Sequence, residues 1–140
     1  MKAINTYLNF NGNTEEAFNF YKSVFGGEFL TLQRFKDTPG CGEMPVADQD
    51  KIMHVALPVG GNILMGTDVM PPMPAVTYGT GISICIDAES ETEAQHLFGG
   101  LAAGGRVEMP LEKMFWGALF GMITDKFDVQ WMINYEYDRK

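Results

Sequence analysis

The 140-residue chain is short of cysteine, histidine and positive charge: two cysteines, two histidines, and ten lysines and arginines against eighteen aspartates and glutamates. Each shortage excludes something. Cys41 lies in a Gly/Pro-rich stretch and Cys85 in a strand-like run. Two thiols so far apart and so unlike in setting make no disulfide framework and no cysteine metal site, so both read as reduced. A formal net charge of −8, with the basic residues scattered, repels phosphate backbones and anionic lipid surfaces, which argues against nucleic acid or membrane as a partner. No apolar run approaches the roughly 20 residues of a transmembrane helix. The opening MKAINTYLNF alternates polar and apolar residues instead of forming an export signal, so a cytoplasmic location is expected. Neither a G-x-G-x-x-G turn between strand and helix nor a G-x-x-x-x-G-K-[ST] loop occurs, so the phosphate cradles of nucleotide-binding folds are missing.

What is present is a 46% hydrophobic composition, enough for the core of one domain, and a repeat. In NTEEAFNFYKSVFGG, Asn13 is placed to cap a helix, Glu16 follows at the third helical position, and Gly26-Gly27 stop it. Ala17, Phe20, Tyr21 and Val24 form its apolar stripe. SETEAQHLFGGLAAGG follows the same plan 77 residues later (90 minus 13). Ser90 and Glu93 make a capping box, Ala94, Leu97, Phe98 and Leu101 make the stripe, and Gly104-Gly105 end it. A strand-like run precedes each helix, INTYLNF and GISICID. Three follow each: EFLTLQRF, IMHVALPV and NILMGTD, then RVEM, FWGALFGMITD and VQWMINYE. Two β-α-β-β-β modules are predicted, at 1–69 and 79–140, joined by a proline-rich linker at 70–78. In their first strands, Leu8 and Phe10, then Ile82, Ile84 and Ile86, are expected to pack on the helices. That leaves Asn5, Tyr7, Asn9 and Gly81, Ser83, Cys85 on the opposite faces.

YLNFNGNTEEAFNFYKSVFGG, MHVAL followed by ILMGTD, and FWGALFGMITDKFDVQWMIN together resemble the PhnB-like branch of the vicinal-oxygen-chelate superfamily. That superfamily includes glyoxalase I, bleomycin-resistance proteins and extradiol dioxygenases, and the resemblance covers nearly the whole chain. It implies an α+β fold of two half-barrel modules facing a central cleft, and a homodimer. Superfamily members that use a metal draw its ligands, usually His, Gln or Glu, from the first and last strands of each module. Carried over, those positions fall on Asn5 (or Thr6 with a one-residue slip), Met65, Gly81 and Met132. Amide, thioether and glycine do not replace imidazole and carboxylate around a divalent ion, so no metal and no cofactor are expected. Some members of the branch carry a demethylubiquinone methyltransferase label, but this sequence has none of the usual nucleotide-fold motifs for it.

The catalytic residue is unknown, with His54 a weak candidate as general base, ligand hydrogen-bonder or member of an unusual metal site, beside the plainer reading of a histidine satisfied in the core or at a subunit contact. In strand alternation with Ile52, Ala56 and Pro58 it would face the cleft, with Met53, Val55 and Leu57 packing behind. The candidate ligand-binding set is Asn5, Tyr7, Asn9, His54, Met65, Ser83, Trp116, Gln130, Met132 and Asn134, with Phe115 and Phe120 adding to an aromatic wall or to the core. Glu43, Asp48 and Asp50 read as a solvated acidic loop, Cys41 as an ordinary thiol and His96 as a surface residue of the second helix. Asp125 and Asp128 read as turn residues. Asp128 stands where the branch commonly has glycine, so a left-handed backbone is expected there. The expectation is a protein that binds a small, partly apolar molecule without the usual metal. Alternatives are a lyase, isomerase or dioxygenase-type enzyme with a non-standard metal site or none, and a structural protein with a vestigial cleft.

Overall fold

The computed structural model describes residues 1–39, 42 and 44–137, so Cys41 and Glu43 lie outside the described residues. The first part of the chain forms β1 (Thr6–Phe10), α1 (Thr14–Phe25), β2 (Thr31–Arg34), a 3-10 turn (Phe35–Asp37), the short α2 (Val46–Gln49), β3 (Ile52–Val59) and β4 (Asn62–Asp68). The second forms β5 (Ile84–Asp87), α3 (Glu91–Ala102), β6 (Arg106–Lys113), β7 (Ala118–Thr124) and β8 (Gln130–Glu136). These make two compact units, 1–77 and 78–140. Each contains one four-stranded sheet, ordered β1-β4-β3-β2 and β5-β8-β7-β6. The helix that follows the first strand of each unit lets the last strand return parallel to the first, β4 to β1 and β8 to β5, while the other pairs are antiparallel hairpins. The fold is the α+β arrangement of two β-α-β-β-β modules.

In the first unit, α1 buries Thr14, Ala17, Phe18, Tyr21 and Val24. The stripe therefore runs through Phe18, and the expected Phe20 is only half-buried. Gly66 explains the difference: a Cβ there would stand 2.5 Å from the Phe18 ring, so the missing side chain on β4 is the space the ring fills. Leu8, Phe10, Val55, Leu57 and Leu64 complete this core. Complete burial of each such side chain contributes about 1.5–3 kcal/mol. The start of α1 is not capped by the Asn13 side chain, which makes no capping bond. Buried Asp68, at the end of β4, takes that role. Its Oδ1 accepts from the Thr14 backbone N–H at 3.0 Å and the Thr14 hydroxyl at 2.6 Å, and its Oδ2 accepts from the Ile52 N–H at 2.8 Å. A carboxylate at a helix N-terminus meets both the orphan donors and the dipole.

Strand β3 departs from the expected alternation at its start. Gln33 opposes His54 and Arg34 opposes Ile52, so Met53 is the extra residue of a bulge. Ile52 thereby turns into the core, 1% exposed, instead of sharing a face with His54, and Met53 is only half-buried. Arg34, on the helix side of β2, reaches the Glu15 carboxylate of α1 through two bonds of 3.0 and 2.6 Å.

In the second unit, the Ser90 hydroxyl accepts from the Glu93 N–H at 3.0 Å, as expected, and the Glu93 carboxylate reaches back to the Glu89 N–H at 2.9 Å. Ala94, Leu97 and Leu101 are buried against the sheet with Trp131, Ile133, Leu119 and Ile123. Phe98 lies over Gly121, where a Cβ would be 2.5 Å from its ring. β5 is shorter than expected: Gly81, Ile82 and Ser83 precede it, and Ile82 is 82% exposed instead of packing on α3. β6 is longer, running past Pro110 to Lys113, which an edge strand with register shifts accommodates. Phe115, Trp116 and Gly117 then form the tip of the β6–β7 hairpin, and β7 starts only at Ala118. The turn after β7 is organised by buried Asp125, whose Oδ1 accepts from the Phe127 and Val129 N–H groups at 2.8 and 3.1 Å, while Oδ2 accepts from the Trp131 indole at 2.8 Å. Asp128 has φ +69°, the left-handed conformation expected of it.

Candidate functional site

Each sheet has one face turned to its helix and one face that its helix does not cover. In the first sheet the second face carries a register row of Tyr7, Met65, Ala56 and Thr31. Asn9 pairs with Thr67, and His54 with Gln33, one step along. Tyr7 reaches over the intervening strand β4 to His54: its hydroxyl lies 3.1 Å from Nδ1, with the ring centroids 5.7 Å apart. Burial pushes the Tyr7 phenol up from its ordinary value, and a hydrogen bond with Thr67 offsets part of that. The phenol keeps its proton at neutral pH. Where it donates to Nδ1 of a neutral imidazole, the ring hydrogen sits on Nε2. The Thr67 hydroxyl also donates to the Met53 carbonyl at 2.6 Å, tying this cluster to the β3 bulge.

The other first-unit candidates are placed differently. The Asn5 side chain acts as a strand surrogate, with Oδ1 accepting from the Ile63 N–H at 3.1 Å just before β1 begins. Asn9 is exposed on the same face as Tyr7, and Met65 is half-buried beside it. Asp48 and Asp50 pair with Lys51 and Lys36 at 3.0 and 2.8 Å.

In the second sheet the corresponding row is Cys85, Met132, Met122 and Met109. Met65 and Met132 thus occupy matching positions in the two repeats. Gln130 and Asn134 flank Met132, and both amides are engaged, Gln130 donating to the Ile82 carbonyl at 2.7 Å and Asn134 to Asp87 Oδ1 at 3.0 Å. Ser83 is half-buried ahead of β5. Trp116, 56% exposed at the hairpin tip, contacts Phe115 and Phe120 edge-on at centroid distances of 5.0 and 6.2 Å. His96 is exposed on α3. Sequence reasoning missed Thr67, Met122 and Asp87. Stepping by two from Met65 in ILMGTD, from Phe120 in FGMIT and from Cys85 in ICID reaches each of them.

The positions to which the resemblance carries the superfamily's metal ligands hold Asn5, Met65, Gly81 and Met132. Asn5 is occupied by the Ile63 N–H, Gly81 has no side chain, and Met65 and Met132 present thioethers. Among the described residues, no three His, Cys, Asp or Glu side chains gather into a group able to hold one.

A family model described as 3-demethylubiquinone-9 3-methyltransferase matches residues 2–134. The chain belongs to this PhnB-like family. Protein YjdN of Escherichia coli is 34% identical over 94% of this chain and 93% of its own length. The crystal structure of PA1353 from Pseudomonas aeruginosa is 44% identical, with a TM-score of 0.85 over 97% of this chain and 98% of that one. The PhnB protein of Bacillus cereus is 30% identical, with a TM-score of 0.76 over 96% and 99%. A glyoxalase-related enzyme from Fulvimarina pelagi, 17% identical, shares the fold at a TM-score of 0.67 over 97% and 89%. The PhnB-like chain is therefore a glyoxalase-type double module. Its two mixed sheets, each with one parallel pair, are not the doubly wound parallel sheet in which a glycine-rich turn cradles a nucleotide.

Proposed function

We propose that this PhnB-like protein binds a small, partly apolar molecule on the strand faces its helices leave open, without the divalent metal of its superfamily. The observation that carries the reading is the Tyr7–His54 pair, a phenol and an imidazole 3.1 Å apart beside the half-buried thioether of Met65. A few directional polar groups set among polarizable apolar ones suit a ligand with one polar edge and an apolar body. Gln130, Met132 and Asn134 on the second sheet, with Trp116, supply the same mixture. A thermal-shift screen against a broad metabolite panel tests this: a ligand at a hundred times its Kd adds about 2.7 kcal/mol of stability. The shift is expected in the native chain and to shrink in Tyr7→Phe and His54→Gln. Failure of every compound to stabilise the chain overturns the proposal.

The same pair favours a second reading, an enzyme of the lyase, isomerase or dioxygenase type in which His54 either moves a proton with Tyr7 fixing its tautomer or helps to hold a non-standard metal. Metal analysis of untagged protein purified without chelator separates the two. A stoichiometric transition metal that is lost in His54→Ala supports the enzyme and overturns the metal-free binder.

A further inference from the structure

The row Cys85, Met132, Met122 and Met109 puts four sulfur-bearing side chains side by side on four adjacent strands of the second sheet. The repeat does not require this: the matching row of the first sheet, Tyr7, Met65, Ala56 and Thr31, has one. We infer that this row is a binding site for a soft univalent cation, copper(I) or its analogue silver(I), held by Cys85, Met132 and Met122.

Register partners on neighbouring strands point to the same face, and adjacent strands are about 4.8 Å apart, so the three side chains rise from one surface within reach of a single ion. Met132 is central, with Cys85 on one side and Met122 on the other. Unbranched thioether stems with three rotatable bonds can converge their sulfurs without moving the backbone. The face is also accessible: Cys85 is exposed, Met122 and Met132 are half-buried, and Met109, next in the row, is 39% exposed. Thioethers serve zinc, iron or manganese poorly but are preferred donors to copper(I). Of the four positions to which the superfamily's metal ligands carry over, Met132 alone belongs to this row, and its thioether suits a softer ion. Asp87, two residues from Cys85 and held by Asn134, adds negative charge near the site without being a soft ligand. On binding, the Cys85 thiol releases its proton to solvent and three metal–sulfur bonds form. No electron is transferred.

The inference shares Met132 with the small-molecule reading but does not rest on it, because that reading is carried by the Tyr7–His54 pair of the first sheet. Its test is an anaerobic titration of the full chain with copper(I) against a chromogenic copper(I) chelator, in a Cys41→Ser background that removes the other thiol. The expected result is one equivalent per chain, with affinity falling at least tenfold in each of Cys85→Ser, Met122→Leu and Met132→Leu and unchanged in Met73→Leu, at an exposed methionine outside both sheets. The leucine variants preserve volume, and a far-ultraviolet spectrum matching the parent confirms that they fold. No binding, binding indifferent to all three substitutions, or binding lost in Cys85→Ser alone would each overturn the site, the last by reducing it to an ordinary thiol.

Discussion

Two residues carry consequences that side-chain chemistry alone decides. Asp128 holds a left-handed backbone at φ +69°, a conformation that costs an L-residue more than it costs glycine. Asp128→Gly is expected to raise stability by about 0.5–1 kcal/mol, read as a higher urea midpoint with an unchanged slope. Glu15 is held below the usual carboxylate range, first by its hydrogen bond to Arg34 and then by the charge of the same guanidinium. Its pKa is lower folded than unfolded, so the native state binds this proton less readily. The stabilisation is present above the ordinary glutamate range and disappears as pH falls through the folded value. The Glu15 side chain is 45% exposed, so solvent screening limits the effect to about 0.5 kcal/mol. Glu15→Gln should lower stability by about that amount at neutral and alkaline pH and leave it unchanged below the folded pKa, which flattens the acid limb of the profile. An identical acid limb in the variant would show that the pair contributes nothing.

Among elements, the contact of α1 with β4 leaves no room for a side chain at Gly66. Gly66 and Phe18 are complementary, and an added methyl must displace a wholly buried ring. Gly66→Ala is expected to cost about 1–3 kcal/mol, measured by denaturant unfolding, and Gly66→Ala combined with Phe18→Leu to lose less than the two single changes together. The helix positions were only partly readable in the sequence. Both helices and their stops follow from periodicity and glycines, but the choice of Phe18 over Phe20 rests on a hole in a strand 48 residues away. The cap of α1 shows the same limit. Asn13 is a plausible cap by residue type, yet Asp68 is the acceptor because β4 returns beside β1 and brings its carboxylate to the helix start.

For the whole molecule, the resemblance leads to an expectation of a homodimer. Sedimentation at micromolar concentration should give twice the chain mass, and a single monomeric species would refute it. Membrane spanning by a helix is not an option among the described residues, since none is long and apolar enough. The charge of −8 remains the main long-range property, favouring cations over anionic partners at low ionic strength.

The sequence by itself determined the repeat, the α+β class, the family and the thioethers at Met65 and Met132, because periodicity, capping chemistry and residue type are local. The tertiary structure decided what meets what. The β3 bulge at Met53 sends Ile52 into the core while His54 stays on the open face, and Tyr7 spans a whole strand to reach it. Met109, Met122 and Met132 lie on successive hairpin strands, but Cys85 joins them only once β5 pairs in parallel with β8 across the intervening helix and strands. Strand alternation assigns each side chain a face, but hydrogen-bonded pairing between distant segments assigns its neighbours, and that pairing is set by the packing of the whole unit.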